Sequence, residues 1–450
     1  MLNSGQKIML ITDNAVEHKL NSACGCARYA YNWARETWFS KKKAGPWFSK
    51  KKAGQKSVST AELRKEFNAL KTDWMYESPK GSMDQAIKNF GLAKKRHYDN
   101  PKQFGFPKRK KFTAKRSFYI ENDQAKLIDE WTIKLPLIKS PIKLSEPVNN
   151  KCMTGKINNF VISKGSNEKW YVAISYTYDE TNIENEIDGN GIVGIDMGIK
   201  TLMQLSTGES VINMKVLNKN KLALKRYQRR MSRRRIGSSK YKRVKKQFKK
   251  KNSYVANLRT DFIQKATTEI IRKNIFIAIE DLNVKGMMKN HNLASAIADC
   301  GLGLIRRVLE YKALKYGTLL VKVDRWFPSS KKCSGCGTVK EYLSLSEREY
   351  VCEKCGLVLD RDTNAAINIL AEALFVELNL RFNTDVARRK FTPVEIVALA
   401  YRLTSMSETT VVDAHCTRIS KECRSALVDN FFNCLWKNVD ISTVEDLMCI

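Results

Sequence analysis

Three acids and four cysteines stand where chemistry could be done. Asp196 ends the apolar run Gly191–Asp196, and Glu280 ends Ala278-Ile279-Glu280. Asp362 stands in Asp360-Arg361-Asp362-Thr363-Asn364-Ala365-Ala366, where a third apolar, helical run begins. A charge at the end of a buried strand is unfavourable unless something cationic pairs with it. Two readings follow: structural acids held in salt bridges, or ligands of divalent ions. Mg²⁺ takes a few carboxylates and keeps the rest of its shell for water and phosphate oxygens. Two such ions about 4 Å apart can activate a water and stabilise the leaving oxygen of a phosphodiester.

Cys333-Ser334-Gly335-Cys336 is followed, after 15 residues, by Cys352-Glu353-Lys354-Cys355, and each pair precedes a glycine, Gly337 or Gly356. This C-x₂-C-x₁₅-C-x₂-C spacing is that of a zinc ribbon, with four thiolates for one tetrahedral Zn²⁺. No position is left open, so the ion is expected to be structural. A redox dithiol is the weaker alternative, since two pairs are present without a thioredoxin-like pattern. Cys24, Cys26, Cys416, Cys423, Cys434 and Cys449 have no metal spacing and are read as core or free thiols. The four histidines are scattered and suggest no His-based catalysis.

The acids need elements to hold them. Residues 191–198, 201–208 and 209–214 read as three short strands of a meander, 275–282 as a buried strand and 318–323 as a fifth. Helices are expected at 255–273 and 301–315, the latter with Leu304, Ile305, Val308, Leu309 and Leu314 at core spacing. A meander followed by helix-connected strands is the order of an RNase H-like domain. Upstream, 7–12 reads as a strand, 15–100 as helical, and 117–178 as alternating strand-like runs, followed by an acidic linker at 182–191.

The chain has 450 residues, 43% of them hydrophobic, which suggests roughly two to four domains and excludes a wholly disordered basic tail. No uncharged apolar run reaches the ~18 residues of a membrane span. The start, MLNSGQKIML, lacks a signal-peptide pattern, so an intracellular prokaryotic protein is expected. Twelve cysteines in this length do not make a disulfide scaffold.

The net charge is +34, and its distribution is uneven: residues 371–450 carry 9 Lys and Arg against 11 Asp and Glu, leaving +36 on residues 1–370. The densest stretch, 215–251, holds 18 cations and no acid. It reads as two basic helices joined at Gly237, with Leu222, Tyr227, Met231, Val244, Phe248 and Val255 at helical spacing. Uncompensated cations at this density call for a polyanion. The candidate phosphate contacts are Arg226, Arg229, Arg230, Arg233, Arg234, Arg235, Lys242, Arg243, Lys245 and Lys246. A second cluster, Lys108, Arg109, Lys110 and Lys111 between Phe106 and Phe112, interleaves cations with aromatics and suits a nucleic-acid strand or, equally, a basic interdomain loop. The unit WFSKKKAG occurs at 38–45 and again at 47–54, too few copies for a solenoid.

Gly194-Ile195-Asp196-Met197-Gly198, Ile279-Glu280-Asp281-Leu282, the run from Arg325 to Gly337 and the run from Asp360 to Ala366 together resemble the TnpB family of transposon-encoded RNA-guided DNA endonucleases. The resemblance covers roughly residues 20–400. It implies a multidomain α+β protein: an RNase H-like RuvC nuclease domain with an inserted zinc ribbon, and an N-terminal wedge β-barrel interrupted by a helical recognition domain. The implied boundaries are 1–14 and 112–188 for the barrel, 15–111 for the recognition helices, 189–325 and 359–375 for the nuclease, 326–358 for the ribbon and 376–450 for a C-terminal extension.

By the same resemblance the catalytic acids are Asp196, Glu280 and Asp362. Asp362 is chosen over Asp360 because the family's acid stands two residues before the asparagine, here Asn364. Cys333, Cys336, Cys352 and Cys355 hold one Zn²⁺, and two Mg²⁺ serve the nuclease site. A guide RNA and a target DNA beside a short motif are the implied partners, with sequence chosen by RNA–DNA pairing. A miniature type V CRISPR effector, a nuclease-inactive repressor and a transposase acting without RNA are the alternatives. One departure is Ile11-Thr12-Asp13-Asn14, where the family carries a Pro-Thr-x-x-Gln turn. The tail is expected either to be mobile or to dock through Phe431, Phe432, Leu435 and Trp436.

Overall fold

The computed structural model describes residues 2–44, 58–112, 116–136, 138–178, 189–344, 346–382, 391–411 and 428–435. The chain divides into two compact units, Met1–Asn182 and Ile183–Ile450.

The first unit runs β1 (Leu2–Met9), α1 (Asn14–Ala44), α2 (Thr60–Ala69), α3 (Asp73–Tyr76), α4 (Lys80–Asp99), β2 (Ser117–Glu121), β3 (Lys126–Asp129), β4 (Thr132–Lys134), β5 (Ile142–Lys143), α5 (Asn150–Thr154), β6 (Lys156–Lys164) and β7 (Trp170–Tyr178). Its strands pair as an antiparallel sheet of order β1-β7-β6-β2 and a smaller sheet β3-β4-β5, with a bridge from Leu10 to Leu144. The period of two is plain in β7, where Trp170, Val172, Ile174 and Tyr176 are buried and the residues between them half-buried. The first strand lies earlier than the expected 7–12. It ends at Met9 because Asp13 caps the next helix, its Oδ1 accepting the Val16 N–H at 2.7 Å. Ile11 is consequently exposed. In the first copy of WFSKKKAG, Trp38 is buried and its ring stacks on Phe106, centroids 5.4 Å apart. The second copy lies outside the described residues, as does most of the acidic linker.

The second unit holds β8 (Gly191–Asp196), β9 (Thr201–Leu205), β10 (Ser210–Ile212), α6 (Val216–Ser232), α7 (Ser239–Lys273), β11 (Asn274–Glu280), α8 (Val284–Met287), α9 (Ala294–Cys300), α10 (Leu302–Tyr316), β12 (Leu319–Val323), β13 (Glu349–Val351), β14 (Val358–Asp360), α11 (Arg361–Phe382) and α12 (Pro393–Val411), and a helix at 428–435. A five-stranded sheet has the order β10-β9-β8-β11-β12. The first three strands are antiparallel neighbours, and β11 runs parallel to both β8 and β12.

Helices cover both faces, so the central strands read as unbroken apolar runs. Alternation then sorts their side chains. Ile192, Phe276 and Ala278 pack with α11, α12 and the 428–435 helix, whereas Val193, Ile195, Ile277 and Ile279 pack with α7, α9 and α10. Two expectations change here, and the alternative left open for the tail is decided. The helix read at 255–273 is the end of one continuous 35-residue helix, because nothing between Ser239 and Lys273 breaks it. Leu222 is exposed while Leu224 is buried in its place, and Leu314 is exposed on the outer face of α10. The tail docks: Phe431, Phe432 and Leu435 join the core beside Phe276, and Trp436 lies outside the described residues.

Candidate active site and cysteine cluster

The same alternation places the acids. Gly194 and Asp196 on β8, and Ala278 and Glu280 on β11, share the face that α11 covers, since Gly194 pairs with Ala278 and Ile195 with Ile279. Asp196 and Glu280 stand one step beyond the last pair, at the carboxyl ends of two adjacent parallel strands. Asp362 lies in the first turn of the covering helix.

That helix sits unusually close. A Cβ added to Gly194 would lie 2.2 Å from the Ala366 carbonyl oxygen and 2.8 Å from Leu370 Cβ. Only glycine permits this approach, so residue 194 sets how near Asp362 comes to Asp196. Gly194→Ala should push α11 outward, cost about 1–3 kcal/mol as an overpacked site, and depress cleavage more than stability. Thermal melting and a cleavage assay on the same preparation check this.

The electrostatics agree with a shared site. Burial pushes the Asp196 carboxyl up to about 6, and the neighbouring Asp362 charge adds to the rise. Burial also lifts Glu280 to about 7, with Asp196 next in effect. Among the described residues no Lys or Arg forms an ion pair with any of the three. The salt-bridge reading therefore fails for these acids and holds for the neighbour: Asp281 faces the other way and pairs with Arg306 and Arg325. Asp360 is also occupied, its Oδ1 accepting the Thr363 N–H and hydroxyl at 2.9 and 3.0 Å. Half-buried carboxylates with no ion-pair partner among the described residues are a donor set that fits divalent cations.

The four cysteines form a second cluster. Their Sγ atoms all lie within 4.8 Å of one another, and among the described residues no other His, Cys, Asp or Glu group is drawn together so tightly. Cys333 and Cys355 Sγ are 3.6 Å apart, as are Cys336 and Cys352 Sγ. Tetrahedral zinc with Zn–S bonds of about 2.3 Å needs nearly that separation. The two knuckles repeat one pattern: Gly337 N–H to Cys333 carbonyl and Gly356 N–H to Cys352 carbonyl, both 2.9 Å. Both glycines have positive φ, +75° and +73°, which explains their place in the motif. The side chain and backbone of Thr338 pull the Cys336 thiol down to about 6, toward the thiolate that a metal requires. Of the other cysteines, Cys24 and Cys26 are core residues, Cys434 is exposed, and Cys416, Cys423 and Cys449 lie outside the described residues.

The basic helices form a hairpin about Gly237, whose φ is +89°. Arg226, Arg229, Arg230, Arg233, Arg235, Lys242, Arg243, Lys245 and Lys246 are exposed and Arg234 is half-buried. Buried Asp299 on α9 holds the start of α6, accepting from the Leu217 and Asn218 N–H groups at 2.7 and 3.0 Å. Sequence reading missed Asp299; an acid among 289–300 carries no signal without the contact.

In the first unit, Lys108 and Lys111 are exposed, Arg109 pairs with Glu36, and Lys110 lies half-buried with Nζ 3.8 Å from the Tyr31 ring centre. Lys110 and Lys111 line a cavity of about 220 Å³ with Arg28 and Arg116, and among the described residues no carboxylate lines it.

The family described as a probable transposase matches residues 174–291, and the Cas12f1-like TNB domain matches residues 303–369. A protein of Streptomyces pristinaespiralis named as an RNA-guided DNA endonuclease is 31% identical over 79% of this chain and 86% of its own. The protein InsQ of Escherichia coli K12, named likewise, is 29% identical over 68% of this chain and 77% of its own. A solved Cas12f1–sgRNA–target DNA complex matches 80% of this chain and 83% of that one at 16% identity, with a TM-score of 0.48. The chain thus belongs to the TnpB family, relatives in which carry the names RNA-guided DNA endonuclease and TnpB-like protein.

Proposed function

We propose that this protein is an RNA-guided DNA endonuclease that cuts beside a short target-adjacent motif. The observation that carries the proposal is the convergence of Asp196, Glu280 and Asp362, from two strands and one helix, into a half-buried site where, among the described residues, no Lys or Arg forms an ion pair with them. Two Mg²⁺ ions held there would supply charge neutralisation at the attacking water and the leaving oxygen. The chain's own part is positional. β8 and β11 hold two carboxylates at fixed spacing, α11 brings the third, and Gln204 ties β9 to the same turn through its 3.1 Å bond to Thr363.

In this reading the second unit is an RNase H-like RuvC nuclease, 189–325 and 359–375, with the zinc ribbon at 326–358 held by one Zn²⁺. The tail from 376 completes its core. The first unit is the wedge region, 1–14 and 112–188, with recognition helices at 15–111. The exposed arginines and lysines of α6 and α7, and the cavity beside Lys110 and Lys111, would take phosphates of the guide RNA and target DNA. The protein would act inside a prokaryotic cell. Among the described residues no helix is long and apolar enough to cross a membrane.

The test is cleavage of a plasmid by the purified protein with its copurifying RNA, in Mg²⁺, once that RNA is sequenced and its complement placed in the plasmid. Cutting without RNA would favour the transposase reading; binding without cutting would favour a repressor. Replacing exposed Arg229 and Arg230 with Ala should weaken RNA binding on every sequence and reduce the slope of log K against log salt by about 1–2. An unchanged slope would remove those two from the interface.

A further inference from the structure

Asn364 does something the nuclease reading does not use. It stands two residues after Asp362 and is fully buried. Its side-chain amide brackets zinc-ribbon residue Cys333 from both sides. Oδ1 accepts the Ser334 N–H at 2.9 Å, and Nδ2 donates to the Lys332 carbonyl at 2.8 Å. One turn along, Asn368 Nδ2 donates to the Ser329 and Lys332 carbonyls at 2.9 and 2.7 Å. Both asparagines are fully buried, so a lost bond leaves an amide group without a partner and each bond is costly to break.

The first turn of α11 is thus fastened by the Asp360 bonds to Thr363, the Gln204 bond, the bonds of Arg361 to the Ser344, Glu347 and Arg348 carbonyls, and this bracket about a metal ligand. We infer that Asn364 is a positioning residue that couples zinc occupancy of the ribbon to divalent-metal binding at Asp362. The inference rests on the two-metal nuclease reading above. With zinc in place the knuckle is rigid and the bracket holds the turn that carries Asp362. Without zinc the thiolates separate, the Lys332 and Ser334 backbone groups leave their partners, and the turn frays. Coupling of this kind is reciprocal: whatever zinc does to the acid site, the acid-site metal does to zinc.

The experiment uses the full-length chain and Mn²⁺ as probe, since carboxylates bind it and thiolates prefer zinc. Mn²⁺ affinity is measured by electron paramagnetic resonance, with the Asp196→Asn chain as blank. Zinc affinity is measured against a chromophoric chelator with and without Mn²⁺, so the chain need never be wholly zinc-free. For the wild type, Mn²⁺ should tighten zinc about tenfold, and zinc should tighten Mn²⁺ by the same factor. Asn364→Ala should bring both factors to near one. Asn368→Ala, which keeps the bracket, should lower zinc affinity and leave the coupling factor in place. A wild-type factor of one, or a factor that survives in Asn364→Ala, overturns the inference. If the wild type neither binds Mn²⁺ above the blank nor cuts DNA, the nuclease reading falls and takes the inference with it.

Discussion

Asp196→Asn and Glu280→Gln should each reduce DNA cleavage by at least about 10³-fold, roughly 4 kcal/mol of transition-state stabilisation, while RNA affinity stays within about twofold. The two variants replace a ligand oxygen by an amide of the same shape, so the loss is of charge and not of packing. RNA affinity should hold because the carboxylates are half-buried on the α11 face of the sheet, whereas the cations proposed to take phosphates are exposed on α6 and α7. A variant that still cut at a tenth of the wild-type rate would show that the acids are structural.

The same substitutions should act in the opposite direction on stability. Both carboxyls titrate higher in the folded chain than in the unfolded one, near 6 and 7 against ordinary values close to 4. Between those limits the folded state holds more protons than the unfolded state, so metal-free stability falls as pH rises from about 4 to about 7. Asp196→Asn should flatten that fall, and Mg²⁺ should offset it in the wild type but not in the variant. Melting temperatures at pH 5 and pH 8, with and without Mg²⁺, read all four states. The sign separates a metal site from a salt bridge, because a paired carboxylate titrates below its ordinary value, adds stability only as pH rises toward about 4, and leaves the curve flat above that.

The sequence was most informative where one residue type has one physical use. Cysteines at C-x₂-C spacing followed by glycines serve few ends besides metal binding, and the knuckle φ angles show why the glycines are there. Apolar runs ending in an acid located β8 and β11, because a strand covered on both faces leaves a continuous signature. Contacts that are long in sequence and short in space were not legible. Asp299 capping α6, Gln204 reaching Thr363 and Asn364 bracketing Cys333 all join residues 30 to 159 positions apart. Amphipathic periodicity also misled in detail. In a helix as cationic as α6, only Val216 and Leu224 are buried, too few to fix the inner face by counting. Helix ends were missed for a related reason: the run read as starting at 255 has no breaker before it, and the solvated basic half of α7 simply continues.

Cys333→Ser should release the zinc and destabilise the second unit, and its effect should reach beyond the ribbon. The ribbon is too small to carry its own core: its buried cluster consists of Cys333, Leu343, Tyr350 and Cys352, so two of four members are proposed ligands. Metal binding in such a module supplies much of its folding free energy. A serine hydroxyl cannot replace a thiolate at neutral pH, and Cys333, fully buried, leaves no room for water to do so. The loosened knuckle adjoins α11 through Asn364 and Asn368, and the Ser334 carbonyl accepts the Val394 N–H at the start of α12 at 2.9 Å. Melting should therefore fall for the whole second unit, by about 2–4 °C for each kcal/mol lost, and not as a separate low-temperature step. Metal analysis should find less than one zinc per chain. Cys355→Ser, at the exposed ligand, should give a milder form of the same result, since water can reach that corner. A full complement of zinc in the Cys333→Ser chain would refute the four-cysteine site. A melting curve with the ribbon unfolding alone would show instead that the asparagine contacts are too weak to carry the coupling to Asp362.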